Sequence, residues 1–197
     1  MASENTTKPW KYQMDAWKYQ KILQNKKEVP TPNDIYIAAR KITNLRNRCL
    51  FILLYLTAGR ISEVVGTLYR KDINEQFINN RRIIMIRMFN RKNPHRKFKD
   101  IPVPYDKESL LLDELLNFIK DKDMEEALFP FSRTRGYQII KKEAGFNPHW
   151  LRHLRLSHLV IYQNFSDQIL VKFSGWSDSR PSKNYMDLRV SDILQYY

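Results

Sequence analysis

The chain is short of cysteine, of acidic residues and of long apolar runs, and each shortage closes off a class of protein. Its single cysteine, Cys49, permits neither an intrachain disulfide nor a cysteine-based metal site. Set beside Leu50 and Phe51, it reads as a small buried hydrophobe, and it fits a reducing compartment. The longest near-apolar run spans residues 49–56, far short of the ~20 residues a membrane-spanning helix needs. The first eight residues lack the apolar core of a secretory leader. Acids number 21 against 34 lysines and arginines, giving a formal net charge of +13. A balance so basic points to a polyanionic partner, with nucleic acid first and an anionic membrane surface second.

What is present argues for a folded domain. The 197 residues are 43% hydrophobic and 13% aromatic, enough for one domain with a sizeable core. Residues 1–30 read as a short basic, aromatic extension. Within it Trp10-Lys11-Tyr12-Gln13 recurs as Trp17-Lys18-Tyr19-Gln20, a seven-residue offset of about two helical turns. A helix there either packs its aromatics on the main domain or contacts DNA or a second subunit. Val29-Pro30-Thr31-Pro32 breaks that helix, and Thr31 with Pro32 suits the start of the next one. The main domain is then residues 31–197.

Its periodicity predicts a mainly α fold with a small antiparallel β-sheet. Helices are expected over residues 33–42, 44–58, 106–122, 132–145 and 166–173, with another starting at Pro148. Gly59 suits the C-terminus of the second helix, and a new one begins around Ser62. Residues 72–78 suit a short strand and 83–88 a better one, rich in β-branched side chains. Ile101-Pro102-Val103-Pro104 is the return strand of a hairpin. Its tip carries Arg91, Lys92, Arg96, Lys97 and Lys99 around Asn93 and Pro94, a charge run suited to phosphates. The 132–145 helix is basic as well, with Arg133, Arg135, Lys141 and Lys142; it is expected to lie against DNA or simply to face solvent.

Residues with chemical potential fall into two groups. The first is Thr57-Ala58-Gly59-Arg60-Ile61-Ser62-Glu63, which sets an arginine at a helix-to-helix corner with an acid three residues on. The second runs from His149-Trp150-Leu151-Arg152-His153 through Ser174-Gly175-Trp176 to Tyr185. His149 and Arg152 share a helix face. His149, His153 and His158 raise the question of a metal, but no Asp or Glu accompanies them from Pro148 to Asn164, so no metal site is expected.

In this order and spacing, the two groups resemble the active site of the tyrosine recombinases, the DNA-rearranging integrases. The resemblance covers roughly Thr31 to Leu188 and rests on the Arg60 run, the basic hairpin, His149-x-x-Arg152, Gly175-Trp176 and Tyr185. It implies that family's catalytic-domain architecture, with Arg60, Lys92, His149, Arg152, Trp176 and Tyr185 as catalytic residues and Glu63 in support. Lys92 just after the strand is the best match to the family's hairpin lysine, a general acid, with Lys97 and Lys99 as alternatives. Trp176 stands where many relatives carry histidine, and an indole N–H donates a hydrogen bond without shuttling protons. The implied reaction is site-specific DNA recombination or integration through a 3′-phosphotyrosyl intermediate, with no cofactor, no metal and no ATP. The implied partner is a double-stranded DNA target site, on which the protein self-associates, as a tetrameric synapse, and not a membrane. A viral or plasmid mobile element acting in a host cell cytoplasm is the expected source. The alternatives are a type IB topoisomerase-like DNA relaxation enzyme and a catalytically silent DNA-binding protein.

Overall fold

A computed structural model of the chain describes residues 30–89 and 98–182. The paired Trp-Lys-Tyr-Gln segments, Arg91, Lys92, Arg96, Lys97 and Tyr185 lie outside the described residues. From Pro32 onward the helices are α1 (Pro32–Lys41), α2 (Leu45–Leu56), α3 (Ile61–Val64), α4 (Tyr105–Ile119), α5 (Arg133–Glu143), α6 (Pro148–Gln163) and α7 (Asp167–Ser174). Three strands, β1 (Ile73–Ile78), β2 (Arg81–Phe89) and β3 (Phe98–Pro104), sit between α3 and α4. The result is the mainly α fold with a small antiparallel sheet that the periodicity indicates.

α2 is the core of the fold. Every residue from Cys49 to Leu56 is fully buried, as a helix that is apolar on all sides must be. Each such Leu, Ile or Phe contributes about 1.5–3 kcal/mol by leaving water. Asn44 starts the helix, its side chain accepting the Asn47 N–H at 3.1 Å, which satisfies one donor of the open first turn. α1, α4, α5 and α6 all pack on α2.

The sheet has the order β1-β2-β3 with both pairs antiparallel. Asn79 and Asn80 join β1 to β2 with φ of 49° and 60°, the left-handed conformations that a two-residue hairpin turn requires. β3 alternates strictly: Lys99, Ile101 and Val103 point inward while Phe98, Asp100 and Pro102 are exposed, the two-residue period of a half-buried strand. The strand therefore begins three residues earlier than the Ile101 start expected from sequence, and it takes Lys99 out of the loop. No helix among the described residues is long and apolar enough to cross a membrane.

Candidate active site

The site begins where α2 stops. Thr57 caps the helix: its Oγ1 donates to the Leu53 carbonyl at 2.5 Å and accepts the Gly59 N–H at 3.1 Å. The left-handed residue is Ala58, with φ of 45°, and not Gly59 as the sequence suggests. Gly59 answers a different need. A Cβ there would lie 2.8 Å from both Met88 Cε and Thr57 Oγ1, closer than side-chain carbons come. The corner is pressed onto β2, so residue 59 must have no side chain, and Ala58 takes the turn at a cost of roughly 1–2 kcal/mol.

That turn delivers Arg60 to the start of α3. Glu63 reaches back to it twice: one carboxylate oxygen accepts the Arg60 backbone N–H at 3.0 Å and the other accepts its guanidinium at 2.6 Å. The Glu63 side chain is sealed, whereas the Arg60 side chain keeps 25% of its surface in solvent. Glu63 thus braces an arginine that can still meet a ligand.

The second arginine arrives from α6. Asn147 caps this helix by accepting the His149 N–H at 2.8 Å, and Pro148 occupies its first turn. Arg152 follows, buried, donating to the Ala58 carbonyl and, at 3.4 Å, to the Ser174 carbonyl at the end of α7. Gly175 ends α7 with φ of 71°, the left-handed conformation glycine takes without strain. The next residue, Trp176, lies with its ring 5.8 Å from the Arg152 guanidinium carbon. The Ala58 carbonyl, aimed by a left-handed residue, and the α7 terminus together fix the orientation of Arg152.

Lys99 completes the cluster. Its ammonium lies 3.5 Å from the Glu63 carboxylate and 3.5 Å from the Ser174 carbonyl, and its side chain is 1% exposed. The sequence places Lys99 with the surface cations of the hairpin tip; the alternation of β3 turns it inward instead. Burial pushes its ammonium down to about 8, Glu63 working to raise it and Arg152 and Arg60 to lower it. Burial alone would raise the Glu63 carboxyl, but Lys99, the Arg60 backbone N–H, Arg60 and Arg152 outweigh it and hold that carboxyl below its ordinary value. Among the described residues, three cations thus converge on one carboxylate. A cluster with that excess of positive charge is suited to an anion, and a planar guanidinium fork is matched to phosphoryl oxygens.

The other sequence candidates are distributed around this centre. His149 is exposed on the first turn of α6, and its imidazole meets that of His153 with the two Nε2 atoms 3.1 Å apart. Arg133, Arg135, Lys141 and Lys142 are all exposed on α5. Among the described residues no group of three or more His, Cys, Asp or Glu could hold a metal ion. The sequence reading missed the Ala58 and Ser174 carbonyls, which no side-chain motif can reveal, and the inward turn of Lys99. For Lys99 a signal existed: continuing the alternation of Ile101 and Val103 back by two residues reaches it.

Solved structures with this architecture are known. The chain superposes on XerA recombinase with a TM-score of 0.60 and 16% identity, over 89% of this chain and 67% of that one. The fold is that of the tyrosine-recombinase catalytic domain. XerH site-specific recombinase, bound to a palindromic difH substrate in a post-cleavage complex, gives a TM-score of 0.58 at 17% identity, covering 82% of this chain and 49% of that one. FLP recombinase in a Holliday junction complex gives 0.53 at 15% identity, covering 91% and 54%. The chain thus spans about half the length of XerH. No family model and no curated protein matches the sequence.

Proposed function

We propose that the protein is a site-specific tyrosine recombinase, an integrase of a mobile or viral element, which cuts and rejoins DNA through a 3′-phosphotyrosyl bond. The observation that carries this reading is the meeting of Arg60 and Arg152, from distant parts of the chain, around Glu63 and Lys99 within a recombinase-type fold. A DNA phosphodiester resists attack because its own charge repels the nucleophile, and positioned donors remove that resistance. In this reading Arg60 and Arg152 clamp the phosphoryl oxygens, with His149 and the Trp176 indole N–H as further donors. Glu63 supports Arg60.

Tyr185 is the nucleophile. A free phenol ionises near about 10, and neighbouring cations favour the phenolate. The phenolic oxygen gives up its proton to water and bonds to phosphorus, the bond from phosphorus to the 5′ oxygen breaks, and that oxygen takes a proton from a general acid. Lys92 is the residue assigned to that donation by the family pattern. The phosphotyrosyl ester retains the phosphodiester bond energy, so an incoming 5′-hydroxyl reverses the step with no ATP, and the arginines carry the charge a metal would otherwise balance.

Residues 31–197 form the catalytic domain in this reading, with residues 1–30 as a basic extension. Exchange between two duplexes needs four active sites, which calls for a tetrameric assembly on a double-stranded target site. The cations of α5 and of the hairpin tip hold the flanking phosphates, and the host cytoplasm is where such DNA is met.

The test is to mix the protein with supercoiled plasmid and with DNA of its source element, without metal or ATP, and to quench with detergent. A covalent protein–DNA adduct mapped to Tyr185 by mass spectrometry, and absent in Tyr185→Phe, is the expected result. Relaxation of any supercoiled DNA without joining of two duplexes would instead favour a topoisomerase. No adduct on either DNA would leave a DNA-binding protein with a silent site.

A further inference from the structure

We propose that Lys99 is a positioning residue, a buried cation that locks Arg60 and Arg152 into one constellation by holding the groups each arginine leans on. This deepens the recombinase reading and rests on it. The ammonium stands 3.5 Å from the Glu63 oxygen that also receives the Arg60 backbone N–H. It stands 3.5 Å from the Ser174 carbonyl that also receives Arg152. Its side chain therefore reaches both supports. Its burial decides between two roles. Arg60 keeps a quarter of its side chain in solvent while Lys99 keeps 1%, so Lys99 lies behind Arg60, and its two contacts are the supports of the arginines, through which it acts on a phosphate.

Every element packed around Lys99 fits that role. The corner into α3 presents Glu63 and Arg60, α6 presents Arg152, α7 presents the Ser174 carbonyl, and β2 presents the apolar Met88 directly across the strand pair. Among the described residues, one carboxylate and two guanidinium groups are therefore the charges that set its protonation. Burial brings the ammonium down to about 8, so it is charged at neutral pH and loses its charge just above. Neutral Lys99 no longer forms an ion pair with Glu63, and the support shared by the two arginines weakens.

The experiment compares wild type, Lys99→Met and Lys99→Arg by two readouts. The first is the side-chain Nε–Hε NMR signals of Arg60 and Arg152, with the backbone amide spectrum as a check on folding. In Lys99→Met both arginine signals should shift and exchange faster while remote amides stay put, and Lys99→Arg should restore them. In wild type, both signals should move together through one midpoint near pH 8, a test that needs no variant and stands even if Lys99→Met fails to fold. The second readout is the rate of covalent adduct formation between about pH 6.5 and 9.5. Lys99→Met should lower it roughly 10- to 100-fold with DNA affinity unchanged, because a misplaced clamp costs rate and not attraction. Lys99→Arg should remove the bend near pH 8 expected of wild type.

Arginine signals that ignore both Lys99→Met and the pH 8 midpoint would overturn the proposal, whatever the adduct assay shows. A bend with its midpoint near pH 8 that persists unshifted in Lys99→Arg would overturn it too. Absence of any adduct in wild type would count against the recombinase reading alone, since the NMR signals still decide the positioning role.

Discussion

Two arginines one turn apart on α6 show how the same residue serves opposite ends. Arg155 is buried and donates to Glu108 at 2.5 Å, with its guanidinium 4.9 Å from the Tyr55 ring. Tyr55 in turn meets His158 Nδ1 at 2.7 Å, and burial pushes the Tyr55 phenol up to about 12. Glu108 reaches this cluster from a non-helical residue inside α4, with φ of −134°. Here one carboxylate answers one cation, and the set ties α2, α4 and α6 together. Arg152, also buried, is oriented by the Ala58 and Ser174 carbonyls, and the acid nearby, Glu63, is shared with Arg60 and Lys99. Balanced charge in the first cluster makes structure. Surplus charge in the second costs desolvation without full repayment, an electrostatic state suited to an anion.

The contrast can be broken by experiment. Arg155→Met leaves Glu108 buried without its cation, and the expected loss is about 3–5 kcal/mol of stability by urea denaturation. A loss well below 1 kcal/mol would put Arg155 among the surface-like pairs and end the comparison. Arg152→Met should behave the other way round. Its adduct formation should fall by roughly 10²–10³-fold, as when one charge-stabilising donor is lost, with a smaller cost in stability than Arg155→Met. Equal destabilisation by both, with cleavage intact, would make Arg152 structural.

The stability of the surplus-charge cluster should depend on pH in a defined direction. Lys99 ionises at about 8 in the folded protein against an ordinary value of 10.5. Between those values the unfolded chain binds a proton that the folded chain does not, so stability rises with pH across that window. The contribution is complete above the unfolded value and is lost as pH falls through the folded one. Denaturation midpoints at pH 7.5 and pH 10 should therefore move in favour of wild type over Lys99→Met as pH rises, by up to roughly 3 kcal/mol. A gap constant across that range would mean that Lys99 is not held in the depressed state.

The smallest effect concerns the corner that aims Arg60. Gly59→Ala puts a methyl group 2.8 Å from Met88 Cε. Met88 is flexible, so the corner shifts rather than collapses, and about 1–3 kcal/mol of stability is at stake. The informative readout is adduct formation, which should fall further than stability loss alone explains. If Gly59→Ala cleaves as wild type does, the close approach of the corner to β2 is unimportant for the site.

Much of this arrangement could be read from the residues, for identifiable reasons. α2 is legible in an unbroken apolar run, and the start of α6 in Pro148. Arg60, Glu63, His149, Arg152 and Trp176 stand out because chemistry-bearing side chains sit at fixed spacings. Other features depended on packing between distant segments. The need for glycine at residue 59 comes from Thr57 and from Met88, a residue of β2. The holders of Arg152 are backbone carbonyls, which leave no trace in residue identity. Lys99 reads as one more cation in a basic tip until the alternation of Ile101 and Val103 is continued back to it, and the pairing of Met88 with Lys99 across β2 and β3 fixes that register.

In the proposed reading the cations around Glu63 form a phosphoryl-binding site. The most direct measurement is binding of tungstate, a stable tetrahedral dianion, to the whole chain, followed through the Arg60 and Arg152 Nε–Hε signals. The account expects both signals to titrate together with a single affinity in wild type, and Arg152→Met, with its amide spectrum intact, to lose that binding. Tungstate that leaves both arginine signals unmoved, or that binds Arg152→Met as well as wild type, would contradict it.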